Sequence, residues 1–132
     1  MASYQEDMEL AVKKLREAFD AVNRDDVESA TDWLDEDVEI GRTPFMDPPA
    51  GGREAVLEFM RPNMFERQRI ELLSTEIHGD VILVDLIFHA VGKGSGVEVS
   101  QTNFQNFTFR SGMVVKWEVF FDREDAERAA AT

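Results

Sequence analysis

The chain contains no cysteine, which removes disulfides and thiol nucleophiles from consideration. No apolar run approaches the roughly 20 residues that a membrane-spanning helix requires. Cationic residues are scarce: 14 Lys and Arg stand against 27 Asp and Glu, a formal net charge of −13. That balance argues against nucleic acid, whose binding rests on Lys and Arg contacts to phosphate, and against anionic membrane surfaces. The opening stretch MASYQEDMELAVKK is acidic and lacks the apolar core of a secretory signal, so a cytoplasmic protein is expected. There are two histidines, and neither stands at His-x-His or His-Glu-x-x-His spacing, so no metal is expected. No Gly-x-Ser-x-Gly elbow occurs. The stretch GKGSG (92–96) lacks the spacing and the following helix of a phosphate-binding loop.

The first half of the chain is helical in pattern. Met8, Ala11, Val12, Leu15, Ala18, Phe19 and Val22 recur as one apolar stripe over about residues 5–22. Asp25, with Glu28 three positions on, has the spacing of a capping box and predicts a short second helix through Val27, Ala30 and Leu34. A short strand is expected at 37–42, then a loop, TPFMDPPAGG (43–52), dense in proline and glycine. A third helix is expected from about Arg53, ended by Pro62. The second half has period two, at about 69–78, 81–91, 97–109 and 113–122, with turn residues between. A last helix follows, capped by Asp122. Helices first and a hairpin-connected sheet afterwards predict an α+β domain, with helices packed on one face of a curved, mostly antiparallel sheet.

One strand stands out. In VEVSQTNFQNFTF (97–109), one side carries Val97, Val99, Gln101, Asn103, Gln105, Phe107 and Phe109. The other is polar at nearly every position, so parity places the amides on the inner face with the phenylalanines. The same parity points Leu86 and Phe88 inward, and also Val115, Trp117, Val119 and Phe121. A buried amide without a partner costs on the order of 1–3 kcal/mol. The row therefore needs partners, either from a hydrogen-bond brace or from a ligand in a mostly apolar pocket.

Three segments, DVESATDWLDEDVEI (26–40), GGREAVLEF (51–59) and SGMVVKWEVFFDREDAERAA (111–130), resemble the nuclear transport factor 2-like superfamily, in its SnoaL-like branch. The last is also similar to the C-terminal end of limonene-epoxide hydrolases. The resemblance implies a cone-shaped α+β barrel over a single domain, residues 1–132. It brings no catalytic set with it. The Asp-Arg-Asp set of the epoxide hydrolases would fall on Leu86, Phe88 and Val119. The base and tyrosine of ketosteroid isomerases would fall near Ile40 and Ala18. Only the oxyanion donor of the isomerases falls on a polar side chain, Gln105.

The candidate catalytic residues are therefore Gln105, as a hydrogen-bond donor, and Asp47, as the base. The candidate pocket wall is Gln101, Asn103, Trp117, Val119, Phe121, Leu86, Phe88, Ile40 and Phe59. The expected partner is a small apolar molecule with a carbonyl or hydroxyl, without cofactor. The expected activity is isomerisation, cyclisation or hydration by proton transfer. The alternative is a non-catalytic binding or accessory module. A homodimer is expected through the outer sheet face, with Ile87, His89, Phe104 and Phe120.

Overall fold

The structure, a computed structural model, describes residues 4–41, 52–55 and 65–131. The apolar stripe of the N-terminus forms α1 (Tyr4–Asn23) and buries Met8, Ala11, Leu15, Ala18, Phe19 and Val22. A second helix, α2 (Val27–Thr31), follows at once. Its cap is Asp26, not Asp25: Asp26 Oδ1 accepts from the Ser29 N–H at 3.2 Å. Hydrogen bonding to Ser29 holds the Asp26 carboxyl below its usual range. Asp25 instead takes a left-handed conformation (φ 61°), which Asp tolerates better than most residues, and turns the chain out of α1. Leu34, expected as the last apolar residue of this helix, opens the first strand.

Five strands form one sheet: β1 (Leu34–Ile40), β2 (Phe65–His78), β3 (Val81–Gly92), β4 (Glu98–Arg110) and β5 (Met113–Phe120). Their order is β1-β5-β4-β3-β2, with β1 parallel to β5 and the other pairs antiparallel. The sheet is open, with β1 and β2 at its edges, so the expected α+β architecture holds without closure into a barrel. The β4–β5 hairpin turns on Ser111 and Gly112, both at positive φ (53° and 81°), which matches the twist of the strands. The strands are longer than the period-two pattern alone indicated in β2, and β1 starts three residues early.

Each face of the sheet has its own cover. On the inner face α1 packs with Ile82, Val84, Leu86, Phe107, Trp117 and Val119 in the main core. On the outer face a final helix, α3 (Arg123–Ala130), is capped by Asp122 and packs Ala126 against Leu83 and Phe120. Asn106 has outer parity, yet it is 1% exposed and donates from Nδ2 to the Ala126 carbonyl at 2.9 Å. The small alanines of α3 let the helix backbone come this close. Phe120, expected at a subunit interface, is therefore covered by its own chain.

Strand ends depart from simple parity. A bulge places Val115 as an extra residue between Val114, opposite Phe109, and Lys116, opposite Thr108. Both Val114 and Trp117 consequently face inward. β5 ends at Phe120, opposite Phe104, so the start of β4 outruns it. Val99 and Gln101 lie on that overhang and Val97 just before it, and all three are exposed, which corrects their inward assignment. Phe121 lies past the end of β5 and is 47% exposed rather than inward.

Two side chains pin α1 to the sheet. The Tyr4 hydroxyl donates to the Gly79 carbonyl in the β2–β3 turn. At the other end, the Asn23 amide donates to the Ile70 carbonyl at 2.9 Å and accepts from the Ile70 N–H at 2.7 Å. Asn23 thus stands in for a neighbouring strand on the free edge of β2. Residues 53–55 begin a helix as expected, and Arg53 donates to the Leu34 carbonyl from Nε and Nη2, at 3.0 and 2.6 Å. The rest of the segment expected to be helical, up to Pro62, lies outside the described residues. Replacing Asn23 by Ala should lower stability by about 1–2 kcal/mol, since two hydrogen bonds are lost at a partly solvated edge. Urea denaturation measures the loss, and amide exchange at Ile70 should accelerate at least tenfold.

Candidate functional site

Register builds the site. β3 sets Leu86 opposite Asn103 and Val84 opposite Gln105. β5 sets Val119 opposite Gln105 and Trp117 opposite Phe107, and β1 sets Ile40 opposite Trp117. Two amides are therefore framed by aliphatic neighbours on the inner face. Asn103 is 3% exposed and Gln105 is 8% exposed.

An aromatic stack fixes their partner. The Trp117 ring lies on Phe107, 6.2 Å between centroids and 16° between planes. Phe107 also meets Phe19 of α1 edge-on at 6.0 Å, and Trp33 at 5.5 Å. Held this way, Trp117 donates from Nε1 to Gln105 Oε1 at 3.0 Å. Gln105 Nε2 donates in turn to Asn103 Oδ1 at 3.2 Å. The row is thus partly a brace, as Gln105 is engaged on both sides of its amide. Asn103 is not: its Nδ2 makes no hydrogen bond among the described residues, although the residue is buried.

The remaining expected wall residues divide. Ile40, Leu86 and Val119 are buried in the same core, and Phe88 packs against it half-buried. Gln101 is opposite Phe88 but exposed, and Phe121 is away from the face. Asp47 and Phe59 lie outside the described residues. The indole donor was absent from the sequence reading of this row. The signal was available: a buried Trp needs an acceptor, and the amides share its face.

Among the described residues, the buried polar side chains are Thr31, Asn103, Gln105 and Asn106, all of them neutral. No cluster of His, Asp or Glu among them could hold a metal ion. His89 accepts or donates at both nitrogens, to Ser100 Oγ at 2.8 Å and to Glu71 Oε1 at 3.1 Å. These three are cross-strand neighbours on the outer face, where such pairing is ordinary sheet chemistry. A cleft of about 520 Å³ opens between α1, α2 and the β4–β5 turn, bounded by Lys14, Asp20, Arg24, Asp32, Trp33 and Met113. It touches neither amide. The inner face, where an amide donor without a protein partner meets mostly apolar side chains, is the stronger candidate. No helix described is long and apolar enough to cross a membrane.

Comparison with known proteins places this geometry. The SnoaL-like domain matches residues 15–117. Among solved structures, an NTF2-like protein of unknown function from Burkholderia pseudomallei superposes with a TM-score of 0.73 at 20% identity, over 92% of this chain and 98% of that one. A protein from Jannaschia described as a SnoaL-like polyketide cyclase gives 0.74 at 17% identity, over 92% of each chain. The epoxide hydrolase/cyclase-like enzyme SalBIII, of pyran ring formation in the polyether salinomycin, gives 0.75 at 21%, over 89% of this chain and 95% of its own. At these identities the likeness is one of fold. No relative is found among curated proteins.

The hydrogen-bond chain predicts an order of stabilities. Gln105→Leu strands both the Trp117 N–H and the Asn103 carbonyl and should cost about 2–4 kcal/mol. Asn103→Leu strands one Gln105 N–H and should cost about 1–2 kcal/mol. Paired urea titrations test the order, which reverses if Gln105 is not the hub.

Proposed function

The chain belongs to the SnoaL-like domain family, and on that premise we propose that its inner face binds a small, mostly apolar molecule bearing a carbonyl or hydroxyl group. The observation that carries this is the buried Asn103 amide, with an unengaged Nδ2, set among Leu86, Val84 and Val119. Apolar walls with a few convergent polar groups are the usual composition of small-molecule sites. The finer reading is proton-transfer catalysis, by isomerisation, cyclisation or hydration. An amide N–H would stabilise negative charge developing on the substrate oxygen. A base must take the proton. None of the buried described residues is titratable, so the proposed base is Asp47, from the Pro/Gly-rich loop.

Binding and catalysis separate in one sample. Titration with 1-indanone should move the Trp117 indole N–H resonance saturably and leave that of Trp33 in place; the W117F spectrum assigns the two. In D2O, bound 1-indanone should exchange hydrogen for deuterium at the carbon next to its carbonyl faster than free ketone. Asp47→Asn should remove that acceleration and leave binding intact. Binding without exchange would leave the non-catalytic alternative. No saturable shift would count against the pocket itself.

A homodimer is a second proposal, supported by the part of the outer sheet face that α3 does not cover. There Ile87 is half-buried on its own, beside His89, Ser100 and Glu71. Ile87→Asp should shift the protein from dimer to monomer in analytical ultracentrifugation, with unchanged circular dichroism. A wild-type monomer at micromolar concentration would refute the interface.

A further inference from the structure

We infer that Trp117 is a positioning residue that makes the amide wall donor-only, so that the site accepts uncharged hydrogen-bond acceptors and discriminates against donors. This rests on the small-molecule reading of the inner face given above and narrows the chemistry of its ligand.

The inference follows from what each group can do. An indole N–H can only donate. The Gln105 atom 3.0 Å from Trp117 Nε1 must therefore be the carbonyl oxygen. An amide has one oxygen, so the atom that Gln105 turns toward Asn103 is its NH₂ group. That group can only donate, so the Asn103 atom 3.2 Å away must be Oδ1. The Asn103 NH₂ is thereby turned away from Gln105, with no acceptor among the described residues. Amide orientation is ordinarily ambiguous between oxygen and nitrogen. Here one donor-only ring at the end of the chain resolves all three members.

The free end of the chain is a pair of N–H groups on a residue only 3% exposed. A carbonyl, ether or other lone-pair oxygen satisfies it. A ligand N–H set against it leaves two donors facing each other, each unpaired. A cationic ligand meets only partial positive charge there; the carboxylate oxygen that is buried without a partner, Asp85 Oδ1, belongs to the opposite face of the sheet, where Asp85 pairs with Phe104. An anion would lose its hydration for amide donors alone.

Three bicyclic probes of nearly equal size isolate this preference: 1-indanone presents an acceptor, indole a donor and indane neither. Isothermal titration calorimetry of the wild-type chain should give 1-indanone about tenfold tighter than indole, the difference between one hydrogen bond made and one opposed. Asn103→Leu should bring all three within about threefold of one another. Trp117→Phe keeps an aromatic ring on Phe107 but frees the Gln105 amide to turn over, and should also narrow the ratio to about threefold. Amide hydrogen exchange of the two variants, compared with wild type, establishes that each remains folded. Equal binding of the three probes to the wild-type chain would overturn the inference while leaving the pocket standing. Failure of all three to bind would remove the pocket, and the inference with it. A tenfold preference that survives Trp117→Phe would show that the indole does not set the polarity.

Discussion

One hydrogen bond organises the interior: Trp117 Nε1 to Gln105 Oε1. Its donor is immobilised by stacking on Phe107, and Phe107 is held in turn by Phe19 from α1 and by Trp33 after α2. Helix packing, the aromatic cluster and the orientation of two amides are thus mechanically continuous. A shift of α1 would reach Asn103 through four contacts. The clamps at Tyr4 and Asn23, which fix the two ends of α1 to β2 and its turn, therefore bear on the site as well as on the edge strand.

Much of this was legible before the structure. Parity alone placed Asn103, Gln105, Phe107 and Phe109 on one buried face, because alternation is a covalent property of a strand. The same rule failed at Val97, Val99 and Gln101. Parity says which way a side chain points, but burial depends on whether anything lies there, and β5 ends before those residues. It failed again at Asn106, which α3 covers. The alanines of α3 carry little apolar signal, yet their small size is what allows the contact. Val115 marks a third kind of limit, since a bulge changes parity partway along a strand and no residue there announces it. The cap of α2 fell one residue from its expected place because two adjacent aspartates offered the same chemistry. The polarity of the amide row was beyond the sequence altogether, since it required knowing that Trp117 and Gln105 come within 3.0 Å.

The positions on which the resemblance would set a base or an acid–arginine–acid set, Ile40, Leu86, Phe88 and Val119, are apolar here. Leu86 and Val119 are nearly fully buried and flank the amides, and Ile40 and Ala18 are buried as well. A carboxylate at Leu86 or Val119 would sit beside the Asn103–Gln105 pair and compete for its donors. The neutral row and the aliphatic neighbours are therefore consistent with each other, as one arrangement rather than an eroded version of another. Among the described residues, no acid or arginine is buried. On the proposed reading, the wall binds an oxygen and the proton moves elsewhere.

On the proposed reading of the inner face, the surface adds a second filter to the first. The chain carries a net charge of −13, while its buried polar groups among the described residues are all neutral. An acidic surface lowers the local concentration of anions and raises that of cations, an effect that salt screens over about 10 Å at 0.1 M. The donor-only wall acts at contact distance and in the opposite sense, because it offers a cation nothing. Anions are thus disfavoured on approach and cations on arrival. Neutral acceptors pass both. On the proposed reading, the acidity of the chain and the neutrality of its interior are two parts of one selectivity. The first part should weaken with ionic strength and the second should not, because salt screens long-range fields and leaves a hydrogen bond made at contact in place.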